Sequence, residues 1–107
     1  MLLSMRVLDL PIVLDPAQLA AFCRARGIRL LSLFGSVLRP DFDPARSDVD
    51  VLVEYLPDRI PGFDFIAHQA DLTRLLGRKV DLNTPRCLSR HFRDTVLHEA
   101  LPLYEQA

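Results

Sequence analysis

Tryptophan is missing, aromatic residues make up 7% of the chain, and lysine occurs once, at Lys79. Few rings are therefore available to stack on bases, and a formal net charge of −1 argues against coating nucleic acid by charge. No direct nucleic-acid binding is expected. The two cysteines, Cys23 and Cys87, form no CxxC pair, and His68, His91 and His98 have no ligand spacing, so no zinc site is signalled. Reduced, half-buried thiols and solvated helix histidines are the expectation. No stretch approaches the ~20 apolar residues of a membrane span. The opening Met1-Leu2-Leu3-Ser4-Met5-Arg6 lacks the charged segment and apolar run of a signal peptide. A cytoplasmic protein without membrane association is expected.

What is present fits one compact domain over residues 1–107, half of them hydrophobic, with residues 1–14 as an extended arm interrupted by Pro11. A core of this size leaves room only for a shallow cleft, or one shared with a partner. Asp15-Pro16 opens a helix with a carboxylate cap and a proline at its first position, and Gly27 stops it. Leu19, Phe22 and Cys23 share its apolar face. Residues 28–34 read as a strand bounded by Gly27 and Gly35, and residues 37–47 as a turn-rich segment.

Residues 48–54 alternate as a second strand, with Val49, Val51 and Val53 on one face and Asp48, Asp50 and Leu52 on the other. After a loop at 57–62, a helix over 64–76 carries Phe65, Leu72, Leu75 and Leu76 and ends at Gly77. A short strand spans 79–83. The last helix runs over 89–100 with Phe92, Val96 and Ala100 inward, and Pro102 ends it. The order α-β-β-α-β-α implies an α/β (α+β) fold, a small mixed β-sheet flanked by helices.

The chemistry concentrates at acids and a glycine turn. Asp48 and Asp50, two residues apart on a strand, leave the same face roughly 7 Å apart, which suits one hard cation or two. Alone, such a pair is common on half-exposed strands. Gly35-Ser36 follows an apolar strand, where a glycine lets backbone N–H groups approach a phosphate. Ser36 is positioned to cap a short helix begun by Val37-Leu38-Arg39, with Arg39 within reach of a phosphate. Asp81 alternates with Val80 and Leu82 and projects away from the core. If its strand lies beside the first pair, three carboxylates converge at a repulsive cost that metal ions remove.

Leu33-Phe34-Gly35-Ser36, eleven further residues, and then Asp48-Val49-Asp50-Val51 resemble the signature of the DNA polymerase β-like nucleotidyltransferases. The segment LFGSVLRPDFDPARSDVDVLVEY is similar to the minimal nucleotidyltransferases, found as the antitoxin half of HEPN–nucleotidyltransferase modules. Gly77-Arg78-Lys79-Val80-Asp81-Leu82 and the ending Glu99-Ala100-Leu101-Pro102-Leu103-Tyr104 fit the same group. The spacer is one residue longer than that group usually carries, an insertion that falls at Asp43-Pro44-Ala45-Arg46.

The resemblance implies that Gly35 and Ser36, with Arg39 and Ser47, hold the triphosphate of ATP. It implies that Asp48, Asp50 and Asp81 bind Mg2+, two ions in all, and that Asp81 helps deprotonate the attacking hydroxyl. The activity implied is transfer of AMP to a hydroxyl, a tyrosine of a cognate HEPN-family toxin. Two alternatives stay open: neutralisation of the toxin by binding alone, and nucleotide transfer to a small molecule such as an aminoglycoside. A homo-oligomer is also open. Arg86, Arg90 and Arg93 read as a solvated basic face.

Overall fold

The computed structural model describes Leu10, Ile12 and residues 14–43 and 45–106. Helix α1 (Pro16–Arg26) starts as its sequence dictates: Asp15 Oδ1 accepts from the backbone N–H of Ala17 at 3.0 Å and Gln18 at 3.3 Å, and Gly27 closes the helix at φ 69°. Then follow β1 (Ile28–Phe34), a 3-10 turn over Gly35–Leu38, and β2 (Val49–Tyr55). Helix α2 (Asp64–Leu76), β3 (Val80–Asn83), α3 (Arg90–Glu99) and β4 (Leu101–Glu105) complete the order.

The strands form one mixed sheet in the order β3-β2-β1-β4. Strand β1 is antiparallel to both β2 and β4, whereas β2 and β3 run parallel. A parallel pair needs a crossover, and α2 supplies it. One face of the sheet carries the core: Leu31 and Leu33 of β1, the three β2 valines, Val80 and Leu82, packed against Leu19, Phe22, Cys23 and Leu72. Ile12 joins this core, with Leu10 and Leu14 packed against it. The expected arm therefore packs on the body where it is described; residues 1–9, 11 and 13 lie outside the described residues.

The other face is different in kind. Ser32 and Leu52 face each other across β1 and β2 and are buried, yet they stand apart from the main core cluster, as does Leu88. The chain leaves β3 at one edge of the sheet and enters β4 at the other, so residues 84–100 span the width of the sheet. Helix α3 contributes no buried residue.

Several expectations need correction. Pro102 does not merely end a helix: α3 stops at Glu99, and Leu101–Glu105 form a fourth strand. Proline is tolerated there because β4 is an edge strand and pairs irregularly near Pro102, between Leu31 and Ser32 of β1. Phe92 points to solvent rather than inward. Asp48 immediately precedes β2, and Leu52, expected on an open acidic face, is buried. Cys23 is buried and Cys87 exposed, both free.

His68 is not a solvated helix histidine. Its Nδ1 lies 2.8 Å from the Tyr55 hydroxyl inside the α2–β2 contact. Burial, with the Arg26 guanidinium second, lowers the His68 pKa below its ordinary 6.5, against the opposing pull of Asp64 and Asp71. Arg26 bonds Asp71 at 2.9 Å and sits 4.0 Å over the Phe22 ring, tying α1 to α2.

Candidate active site

Asp50 and Asp81 stand directly opposite each other in the parallel β2–β3 register, so their side chains leave the same face of the sheet. Asp48 sits one step before β2, where the backbone N–H of Val49 donates to the Lys79 carbonyl at 3.0 Å. The Lys79 ammonium lies 3.7 Å from Asp48 Oδ2. The Asp50 carboxyl titrates above its usual 3.8, first because burial disfavours the charge, then because Asp81 and Asp48 repel it. Arg39 acts in the opposite direction, which brings it within electrostatic reach of the acids.

Gly35 joins this group through contact as well as conformation. It adopts φ 76°, and a Cβ at that position would meet Asp50 Oδ2 at 2.5 Å. The sequence needs glycine here for both reasons: the left-handed backbone that turns the chain off β1, and the carboxylate that occupies the space of a side chain. Ser36 does not cap the turn; it lies within it, and its carbonyl accepts from the Arg39 N–H at 2.9 Å. No side chain caps the start of that turn.

The loop from Arg39 to Ser47 is anchored at two points. Phe42 is buried in the main core. Asp43 accepts from the Ala45 N–H through Oδ1 at 3.0 Å and from the Ser47 N–H through its carbonyl at 2.8 Å. Ser47 is thereby held one residue before Asp48, half-buried, and it is not among the residues lining the cavity at Gly35.

The three acids are gathered at one end of the sheet but are not drawn together as ligands. Among the described residues, no trio of His, Cys, Asp or Glu side chains is close enough to hold one ion. The donor chemistry nevertheless fits magnesium: the donors are carboxylate oxygens, Asp50 and Asp81 lie side by side, and the ionised form of Asp50 is disfavoured first by burial and then by the Asp81 and Asp48 charges, a repulsion that a cation would offset.

A cavity of about 440 Å3 opens beside this group, lined by Gly35, Leu38, Arg39, His98, Glu99 and Ala100. The sequence reading put Gly35 and Arg39 at the site but missed the contribution of α3. His98 is exposed, as expected, but it also lines this cavity, and neither the inward reading of Ala100 nor the family-like ending opened by Glu99-Ala100 placed this turn beside Gly35. The missing signal was β4: its pairing of Leu101 with Leu33 is what brings the end of α3 beside Gly35. Arg93, expected on a solvated face, is half-buried and donates to the Leu88 carbonyl at 3.0 Å.

The profile of the nucleotidyltransferase domain family matches residues 17–104. The chain belongs to that family. It is 31% identical over 75 residues to a Methanocaldococcus jannaschii protein provisionally named a protein adenylyltransferase, covering 70% of this chain and 78% of that one. A structure provisionally described as a minimal nucleotidyltransferase is 32% identical, with TM-score 0.63, covering 83% of this chain and 96% of the other. The fold also matches a complex of a tri-AMPylated Shewanella oneidensis HEPN toxin with its MNT antitoxin. There the TM-score is 0.60 and the identity 21%, over 95% of this chain and 74% of that one. The protein is thus a nucleotidyltransferase of the minimal type, similar in structure to antitoxins of HEPN toxins. Among the described residues, no helix is long and apolar enough to cross a membrane.

Proposed function

We propose that the chain, acting as a single nucleotidyltransferase domain, transfers AMP from ATP to a tyrosine hydroxyl of a cognate HEPN toxin and so works as an antitoxin. The observation that carries this reading is the Asp50–Asp81 register with Gly35 packed on the Asp50 carboxylate. In a stability-only site that arrangement has a repulsive cost and no return. The similar proteins support a protein acceptor: one is called an adenylyltransferase, and another is bound to an AMPylated HEPN toxin.

In this reading Gly35, Ser36 and Arg39 hold the triphosphate, with Ser47 steadying the approach to Asp48. Asp48, Asp50 and Asp81 hold two magnesium ions. Bound there, magnesium supplies the charge that neutralises the triphosphate and favours an ionised acceptor hydroxyl. Arg39 adds fixed positive charge near the leaving pyrophosphate. Asp81, which is exposed, accepts the proton from the attacking hydroxyl, whose oxygen bonds to the α-phosphorus as the bond to pyrophosphate breaks.

The test is incubation with labelled ATP, magnesium and the co-encoded partner. Label is expected on a partner tyrosine, lost in Asp48→Asn/Asp50→Asn. Equal labelling by that variant, or an unlabelled partner, refutes the reading. Protection of cells by the same variant would instead favour neutralisation by binding alone.

A further inference from the structure

The cavity between the 3-10 turn and the end of α3 is polarised, and its polarity says which part of a nucleotide enters first. One wall is friendly to anions: the backbone at Gly35 and the exposed Arg39 guanidinium. The part of the lining formed by the helix end is not. It consists of Glu99, His98 and Ala100 at the C-terminal end of a ten-residue helix. The unpaired carbonyls of a last helical turn carry the partial negative charge of the helix, and the Glu99 carboxylate adds a full one.

A triphosphate laid against that wall would meet like charge. A group rich in hydroxyl donors would meet acceptors. We infer that Glu99, at the end of α3, holds the ribose hydroxyls of the nucleotide, with its phosphates directed toward Gly35 and Arg39. This rests on the nucleotidyltransferase reading above and deepens it: a carboxylate accepting from a cis-diol selects ribonucleotides over deoxyribonucleotides. Its two oxygens suit two adjacent hydroxyls, and hydrogen bonds to an ionised acceptor are the stronger kind. Leu38 supplies an apolar surface, and His98 a flat ring and a nitrogen donor, for the base beyond the sugar. The volume of about 440 Å3 lies within the roughly 300–1,000 Å3 span of small-molecule sites.

The geometry also makes the direction of binding consistent with the acids. Gly35 lines the cavity and packs close to Asp50, so a nucleotide with its sugar at Glu99 and its phosphates at Gly35 has those phosphates near Asp50. Glu99 is exposed, so its replacement leaves the core untouched.

The experiment is calorimetric titration, with magnesium, of ATP, 2′-deoxy-ATP, 3′-deoxy-ATP and tripolyphosphate into the wild-type chain, Glu99→Ala and Glu99→Gln. Wild type is expected to bind ATP roughly tenfold more tightly than either deoxy analogue. Glu99→Ala should bind ATP about tenfold more weakly, show no preference among the three nucleotides, and hold tripolyphosphate as well as wild type or better. Glu99→Gln, which keeps one acceptor oxygen, should lose less. Unchanged ATP binding in Glu99→Ala, or equal losses for ATP and tripolyphosphate, overturns the inference alone. A wild-type chain that binds neither ATP nor tripolyphosphate overturns the nucleotidyltransferase reading and this inference with it.

Discussion

The two faces of the sheet solve opposite problems with the same strands. On the core face, the ionisable groups are paired or kept neutral: Tyr55 meets His68, Arg26 meets Asp71, and Cys23 is sealed among apolar neighbours. On the second face, at the Gly35 end, three acids share one end of the sheet with Lys79 at 3.7 Å and Arg39 nearby as the named cations. The first face is arranged for stability. The second tolerates repulsion, which is expected where charge is reserved for a ligand.

The largest effect that separates the faces is catalytic. Asp48→Asn/Asp50→Asn should lower AMP transfer by roughly a thousandfold or more while leaving the melting temperature no lower than wild type. Label transfer and a thermal melt on one preparation check both halves. A variant that unfolds would merge the two faces into one structural role. The converse change is Leu72→Ala, in the fully buried heart of the core face. It should cost ~2–5 kcal/mol in denaturant unfolding, with transfer per folded molecule unchanged.

Gly35→Ala tests the point where the faces meet. It forces a side chain onto a left-handed backbone and into the Asp50 carboxylate, so a loss of about 1–3 kcal/mol and a fall in transfer of roughly tenfold or more should arrive together. Chemical denaturation and label transfer read the two. Stability lost with activity intact would detach Gly35 from the site.

How much of this was legible in the sequence follows the range of the forces involved. Asp15, Pro16 and Gly27 fixed α1 because a cap, a first-turn proline and a left-handed stop all act within a few residues. The Asp50–Asp81 neighbourhood was legible as a condition, since alternation gave each residue its face but could not give the strand order. Strand β4 was not legible. Its extended form depends on the free edge of β1, some seventy residues earlier in the chain, and Pro102 signals only the helix stop. The role of Glu99 went unseen for the same reason. His68 was misread because nothing local announces that the Tyr55 hydroxyl comes within 2.8 Å of it.

A smaller effect sharpens the account of the core face. Burial is the first cause holding both the Cys23 thiol and the Tyr55 phenol up to about 12, from 9.0 and 10.0. Both acids keep their protons in the folded chain at pH values where the unfolded chain releases them. Stability is therefore fully present below pH 9 and declines as pH rises from 9 toward 12. Melting temperature should fall by roughly 5 °C per pH unit in that window, and Cys23→Ala should flatten the lower part of the slope. A wild-type slope that Cys23→Ala leaves unaltered would show that the thiol ionises without unfolding.

The smallest expected effect is the most informative about the second face. In a chelator-treated sample near pH 7.5, Asp50→Asn alone should raise stability by ~0.5 kcal/mol, or about 3 °C in melting temperature. The reason is that burial, Asp81 and Asp48 all oppose the Asp50 charge, while Arg39 only partly offsets them. An amide of the same shape removes the opposition without opening a cavity. Magnesium should then reverse the order of the two proteins, because a cation stabilises the wild type by binding its carboxylates and gains less from the amide. A melting temperature that drops on Asp50→Asn in chelator would mean that the Asp50 charge is already well satisfied within the fold. The contrast between the faces would then fail at its central residue.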